Sequence, residues 1–127
     1  MTVKLIKQGS LLLCLCVLIF GCNLFSSPRR TAIKFYWALD AGKSSEANEM
    51  ISNYFKTNQG SQVQGYINSL MNLIRQNGGL ESIEITGDKT SNRYSELTIE
   101  LAFKNGTRRT IEQPLIIEDG VWKINNR

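Results

Sequence analysis

At Gly78-Gly79-Leu80 the apolar residues of this chain change their period. Upstream, Val63, Tyr66, Ile67, Leu70, Met71, Leu73 and Ile74 recur every three or four residues, which predicts a helix over about 62–77. Downstream, Leu97, Ile99, Leu101 and Phe103 alternate with Glu96, Thr98, Glu100 and Ala102, which predicts a strand with one buried face. Helices first and strands afterwards define an α+β domain, because each apolar stripe has to be buried against the other kind of element.

The remaining elements follow from caps and turns. Ser27-Pro28 reads as an N-cap with proline at the first helical position, opening a helix from Pro28 to about Ala41 that Gly42 stops. Ala32, Ile33, Phe35, Tyr36, Trp37 and Leu39 form its apolar arc, and Asp40 falls within that arc one turn after Tyr36. Ser44 caps a second helix whose stripe is Ala47, Met50, Ile51 and Tyr54, ending at Asn58-Gln59-Gly60. Ser61-x-x-Gln64 reads as a capping box for the third helix, the long one, which Gly65 weakens by up to ~1 kcal/mol.

Four strands are expected after that. Leu80, Ile83 and Ile85 mark the first, ending near Thr86, with Gly87 to Arg93 as a turn or loop. The second holds Leu97 to Phe103, the third Ile111, Leu115 and Ile117, and the last Val121-Trp122-Lys123-Ile124. A two-residue Asn105-Gly106 turn sets Glu100 opposite Ile111 and mixes the faces. A three-residue or bulged connection that pairs Leu101 with Ile111 and Leu97 with Leu115 keeps the apolar rows together, and is preferred. Pro114 lacks an amide donor, so it is expected to face solvent or sit at a bulge.

The amino terminus carries a different signal. Lys4 and Lys7 precede an apolar run from Leu11 to Phe20 that ends at Gly21-Cys22, the layout of an export signal. Its ten residues make a helix of about 15 Å, half of a ~30 Å bilayer core. Ile19-Phe20-Gly21-Cys22 resembles the lipobox of bacterial lipoproteins, although Phe20 is bulkier than the small residue usual there. The resemblance implies cleavage between Gly21 and Cys22 and acylation of the Cys22 thiol. Residues 1–21 are then a signal peptide, residues 22–27 the acylated cysteine and a short tether, and residues 28–127 the folded domain. Asn23 is not the aspartate that resembles an inner-membrane retention signal, so the outer membrane, periplasmic side, is expected in a cell with two membranes.

Cys14 and Cys16 leave with the signal and Cys22 is occupied by lipid, so no disulfide is expected. Loss of Lys4 and Lys7 lowers the formal charge of +4 by two, too weak a balance for nucleic-acid binding. The chain has no histidine, which removes the commonest general base and metal ligand, and no P-loop, dinucleotide fingerprint or nucleophile elbow. No cofactor or metal is expected.

Ala32-x-x-Phe35-Tyr36-x-Ala38-Leu39-x-x-Gly42 resembles the first helix of the nuclear-transport-factor-2-like (cystatin-like, cone-shaped) superfamily. Gly78-Gly79-Leu80-Glu81-Ser82-Ile83-Glu84-Ile85 and Glu118-Asp119-Gly120-Val121-Trp122-Lys123-Ile124 resemble its lumazine-binding-like bacterial lipoprotein branch, a domain of unknown function. The resemblance implies three helices on a curved four-stranded antiparallel sheet that bends around the long helix, a pocket between them, and dimerisation through the sheet in many relatives. It covers isomerases, polyketide cyclases and a dehydratase as well as non-catalytic modules, so it bears on fold more than on activity.

Tyr36, Asp40, Tyr66 and Trp122 are the candidate pocket-lining residues. An Asp40 facing a dry pocket beside Tyr36 is the arrangement a carboxylate base needs; a hydrated Asp40 at the helix end is the simpler expectation. Arg29 and Arg30 stand in the first helical turn, either on lipid headgroups or solvated, and Trp37 either packs in the core or meets the membrane interface. No catalytic residue is assigned. The function expected is a lipid-anchored, non-catalytic binding module for a small apolar ligand or an envelope protein; the alternatives are an isomerase or cyclase using Asp40 and Tyr36, or a structural dimerisation module.

Overall fold

A computed structural model describes residues 26–126, so Gly21, Cys22 and the whole of the expected signal segment lie outside the described residues. Four helices, α1 (Pro28–Asp40), α2 (Ser44–Glu49), α3 (Asn53–Gln59) and α4 (Gln62–Gln76), precede four strands. The strands are β1 (Leu80–Thr90), β2 (Tyr94–Phe103), β3 (Arg108–Glu118) and β4 (Val121–Ile124), paired antiparallel in the order β1-β2-β3-β4. α1 starts as its sequence requires: the Ser27 hydroxyl accepts from Arg30 N at 3.1 Å, Pro28 opens the helix, and Gly42 at φ +73° follows its end.

The core lies between helices and sheet. Ala32, Phe35, Tyr36 and Leu39 of α1 and Leu97, Ile99, Leu101 and Phe103 of β2 are buried together with Ile67 and Ile74 of α4. α1 approaches β1, β2 and β4 as well as α2 and α4, so α1 lies along the sheet. Trp37 does not join the core; it stands on the outer side of α1.

The expected second helix is two helices. Ile51 forms a parallel bridge with Ile124, Ser52 N donates to Ile124 O at 2.8 Å and Ile124 N donates to Met50 O at 2.8 Å. Residues 50–52 therefore satisfy the free edge of β4, and the helix gives way to that pairing. The Ser52 hydroxyl then caps α3, accepting from Phe55 N at 3.0 Å and donating to Asn125 Oδ1 at 3.0 Å. Tyr54, placed in the apolar stripe by its spacing, turns outward as a result. The capping box at Ser61 is also absent: Ser61 is already helical and makes no capping bond, because only Gly60 and Ser61 separate α3 from α4.

β1 continues through the segment read as a loop. A bulge between Ile85 and Gly87 shifts the register, pairing resumes as far as Thr90, and the turn is confined to residues 91–93. The β2–β3 loop has three residues, Lys104–Gly106, with Gly106 at φ +89°. Ile99 is opposite Ile111, Leu97 opposite Gln113 and Leu101 opposite Arg109, two residues away from the expected pairs. An even shift preserves which face each side chain takes, so the apolar rows still coincide.

Gly87 and Gly65 give opposite expectations for the same substitution. A Cβ on Gly87 would lie 2.8 Å from Thr98 Oγ1 and 3.0 Å from Thr98 Cβ, so Gly87→Ala costs about 1–3 kcal/mol. At Gly65, inside α4, nothing lies within 4 Å. Gly65→Ala therefore stabilises by up to ~1 kcal/mol, raising Tm by roughly 4–8 °C. Thermal unfolding of both variants checks the pair; equal shifts of one sign would refute it.

Candidate functional site

Gln113 is the polar residue on which the interior converges. Alternation along β3 turns Ile111, Gln113 and Leu115 toward the helices, and Gln113 is 0% exposed. Its Oε1 accepts from the Tyr36 hydroxyl of α1 at 2.7 Å and from the Tyr66 hydroxyl of α4 at 3.3 Å. Its Nε2 donates to Pro114 O at 2.9 Å and Asn125 O at 3.1 Å.

The second pair of bonds explains the proline. Asn125 N donates to Pro114 O at 3.0 Å, the geometry of a pair that would normally exchange two backbone bonds. Pro114 has no N–H to return, and the Gln113 amide supplies the donor to Asn125 O instead. Pro114 is accordingly buried inside a regular ladder, not at a solvent-facing or bulged position. The inward phase of Gln113 in an otherwise apolar row was the sequence signal for this site.

Both tyrosines are neutral donors here. Burial pushes the Tyr36 hydroxyl well above its ordinary pKa of 10.0, and the neighbouring Tyr66 adds to the rise. Burial also raises Tyr66. The buried side-chain polar atoms among the described residues all have partners.

The other candidates lie apart from this point. Asp40, at the end of α1, accepts from Leu80 N at 2.8 Å through Oδ1, tying the helix to the first residue of β1. Asp40 and Tyr36 thus take separate partners, and no shared site forms between them. Asp40 borders an open cleft of about 640 Å³ with Met71, Ile74, Arg75, Gly79 and Lys104. Trp122 is buried and belongs to another region, where its backbone N donates to Ser26 Oγ at 3.5 Å and its carbonyl accepts from Thr31 Oγ1 at 3.3 Å. Of the four residues, Tyr36 and Tyr66 are brought together, and Asp40 and Trp122 each border a different surface cleft.

Two further clefts flank the outer side of α1. One, of about 590 Å³, is bordered by Lys34, Trp37, Lys43, Glu46, Glu49 and Lys123. The other, of about 350 Å³, is bordered by Ser26, Arg30, Lys34, Val121 and Lys123. Arg29 is engaged elsewhere, with Nε 2.9 Å from Asp88 Oδ2. Among the described residues no three histidine, cysteine, aspartate or glutamate side chains come together around a metal, and no helix is long and apolar enough to cross a membrane.

A solved structure from Campylobacter jejuni, provisionally named an NTF2-like (nuclear-transport-factor-2-like) transpeptidase, superposes with a TM-score of 0.68 at 18% identity. It covers 80% of this chain and 100% of its own. The fold is nuclear-transport-factor-2-like. No family model matches the chain, and no curated protein matches it significantly. At this identity the likeness establishes the fold and leaves activity to the residues.

The raised tyrosine pKa values set a pH dependence. The unfolded chain releases these protons first, so the stability they carry is complete below about pH 10 and is lost as pH rises through the raised values. Tyr36→Phe costs about 1–2 kcal/mol at neutral pH and flattens the alkaline loss by up to ~1.4 kcal/mol per pH unit. Urea unfolding on both sides of pH 10 tests this; an unchanged alkaline slope would contradict it.

Proposed function

We propose that this chain is a lipid-anchored lipoprotein of the cell envelope whose nuclear-transport-factor-2-like domain works by binding, with a small apolar molecule or an envelope protein as its partner. The anchor rests on the sequence layout: basic Lys4 and Lys7, the apolar run to Phe20, and Gly21-Cys22 placed shortly before Pro28, where α1 begins. The motifs at residues 78–85 and 118–124 resemble a lumazine-binding-like lipoprotein branch, which fits the same location. Export to the periplasmic side of an outer membrane follows from Asn23 in a cell of that type.

Binding is favoured over catalysis by one observation, the Gln113 contacts. The interior polar groups that an isomerase or cyclase would turn toward a substrate are here committed to one another, and two of them are tyrosines with raised pKa values. The transpeptidase name of the structural neighbour is not carried over. This chain has no histidine, and its three cysteines all lie at or before Cys22, where the last is assigned to lipid. The cleft beside Asp40, with apolar Met71 and Ile74 next to Arg75 and Lys104, offers a small ligand both a greasy wall and a polar rim.

Expressing the chain with and without Cys22→Ser tests the anchor. The unaltered chain is expected to gain the mass of its acyl groups, lose residues 1–21 and fractionate with membranes, and the variant to do none of these. A variant that keeps both the mass and the partitioning would end the proposal. Native mass spectrometry of the purified chain then tests binding by detecting a retained small molecule or a bound protein.

A further inference from the structure

We propose that the outer side of α1, together with the β4 turn, is a membrane-facing surface that lies flat on anionic lipid headgroups. This deepens the lipid-anchor reading and rests on it. Arg30, Lys34, Trp37 and Ala41 follow one another at four- and three-residue steps along the outward stripe of α1. Beside them β4 and its turn add Val121 and Lys123. Lys34 and Lys123 border both clefts on this side, which makes the surface continuous.

Its chemistry is that of a membrane interface. Trp37 is 39% exposed and Val121 43% exposed, two of the three large apolar side chains the described residues leave open. Tryptophan is the residue that settles at headgroup depth, and lysine and arginine stems extend over apolar surface while their charges reach the phosphates. Arg30 and Lys34 make no ion pair among the described residues. Lys123 Nζ donates to Glu49 O at 3.0 Å, and Lys43 lies 3.9 Å from Glu46. Counting Glu46 and Glu49 against Arg30, Lys34, Lys43 and Lys123, the borders of the two clefts keep a positive balance.

Geometry and charge select the lipid surface as the occupant. Three residues separate Cys22 from Ser26, so the two α carbons lie within roughly 14 Å of each other. Ser26 itself borders the cleft with Arg30, Lys34 and Lys123 and accepts from Trp122 N. An acyl group on Cys22 therefore holds this side of the domain next to the bilayer. The outer face of the sheet, turned away from α1, carries Glu84, Glu96, Glu100 and Glu112 against Lys89 and Arg108, a negative balance. An anionic bilayer attracts the first surface and repels the second.

The test uses the full acylated chain reconstituted in vesicles of phosphatidylcholine alone or mixed with phosphatidylglycerol, with brominated lipid as a quencher of tryptophan emission. On anionic vesicles Trp37 is expected to be quenched and shielded from aqueous acrylamide, and Trp37→Phe to remove most of the quenching, since Trp122 is buried at the edge of the same surface. On neutral vesicles the quenching falls away. Each basic residue near an anionic surface is worth about a fivefold bias, so Arg30→Ala, Lys34→Ala and Lys123→Ala together shift the flat-to-lifted equilibrium by about a hundredfold. These are surface changes, and circular dichroism checks that the fold is retained.

Flotation and intact mass, read on the same samples, report the anchor separately. A chain that carries the acyl mass and floats while Trp37 stays unquenched overturns the membrane-facing surface and leaves the anchor standing. A chain without acyl mass whose Trp37 is quenched only on anionic vesicles overturns the anchor and supports the surface. Shielding of Trp37 on neutral vesicles as well overturns the proposal and assigns this side to a second copy of the chain.

Discussion

A single buried amide holds the two halves of this domain in register. Gln113 lies on β3, yet its four contacts reach α1 through Tyr36, α4 through Tyr66, and the β3–β4 ladder through Pro114 O and Asn125 O. Asn125 in turn accepts from Ser52, which caps α3. Apolar packing alone tolerates sliding, because one methyl contact resembles another. A fully satisfied polar group does not, since any displacement strands a buried donor or acceptor at a cost of about 1–3 kcal/mol each. The sheet and its helices are thus fixed by direction as well as by burial.

The same node accounts for how Pro114 is accommodated in the ladder. A proline inside a sheet normally leaves a carbonyl on the neighbouring strand without a donor. Placing a glutamine immediately before it puts two amide hydrogens within reach of that gap, so the ladder closes without the missing N–H. β4 ends at Ile124, one residue before the substituted pair, and its other edge is met by residues 50–52. A four-residue strand is held on both sides, one of them in a way no strand pattern expresses.

Much of this was legible beforehand, and what was missed has a common cause. The change of period at Leu80, the cap at Ser27-Pro28 and the stop at Gly42 are local signals, and they located the elements they describe. The break at Met50–Ser52 depends on Ile124, more than seventy residues away, and nothing within the helix-forming stretch reports it. The bulge that carries β1 to Thr90 requires Thr98 as a close neighbour of Gly87, again a tertiary fact. Even the hairpin, whose three-residue loop and face assignment follow from the apolar rows, leaves an even register shift free, because parity cannot see it. Tyr36 and Asp40 share a helix face, but a shared face does not make a shared partner.

Helix α1 links these two levels of the structure. Its inner stripe of Ala32, Phe35, Tyr36 and Leu39 belongs to the core and to the Gln113 node, so its axial rotation has little freedom. Asp40 fixes its far end to Leu80, and the Arg29–Asp88 pair spans from its first turn to the end of β1. With rotation and both ends set from inside, the outward stripe of Arg30, Lys34 and Trp37 is presented at a fixed angle to Ser26, which leads into α1. A rigid core therefore determines an orientation at the surface. The residues that best explain the fold are also those that fix which side of α1 lies beside Ser26.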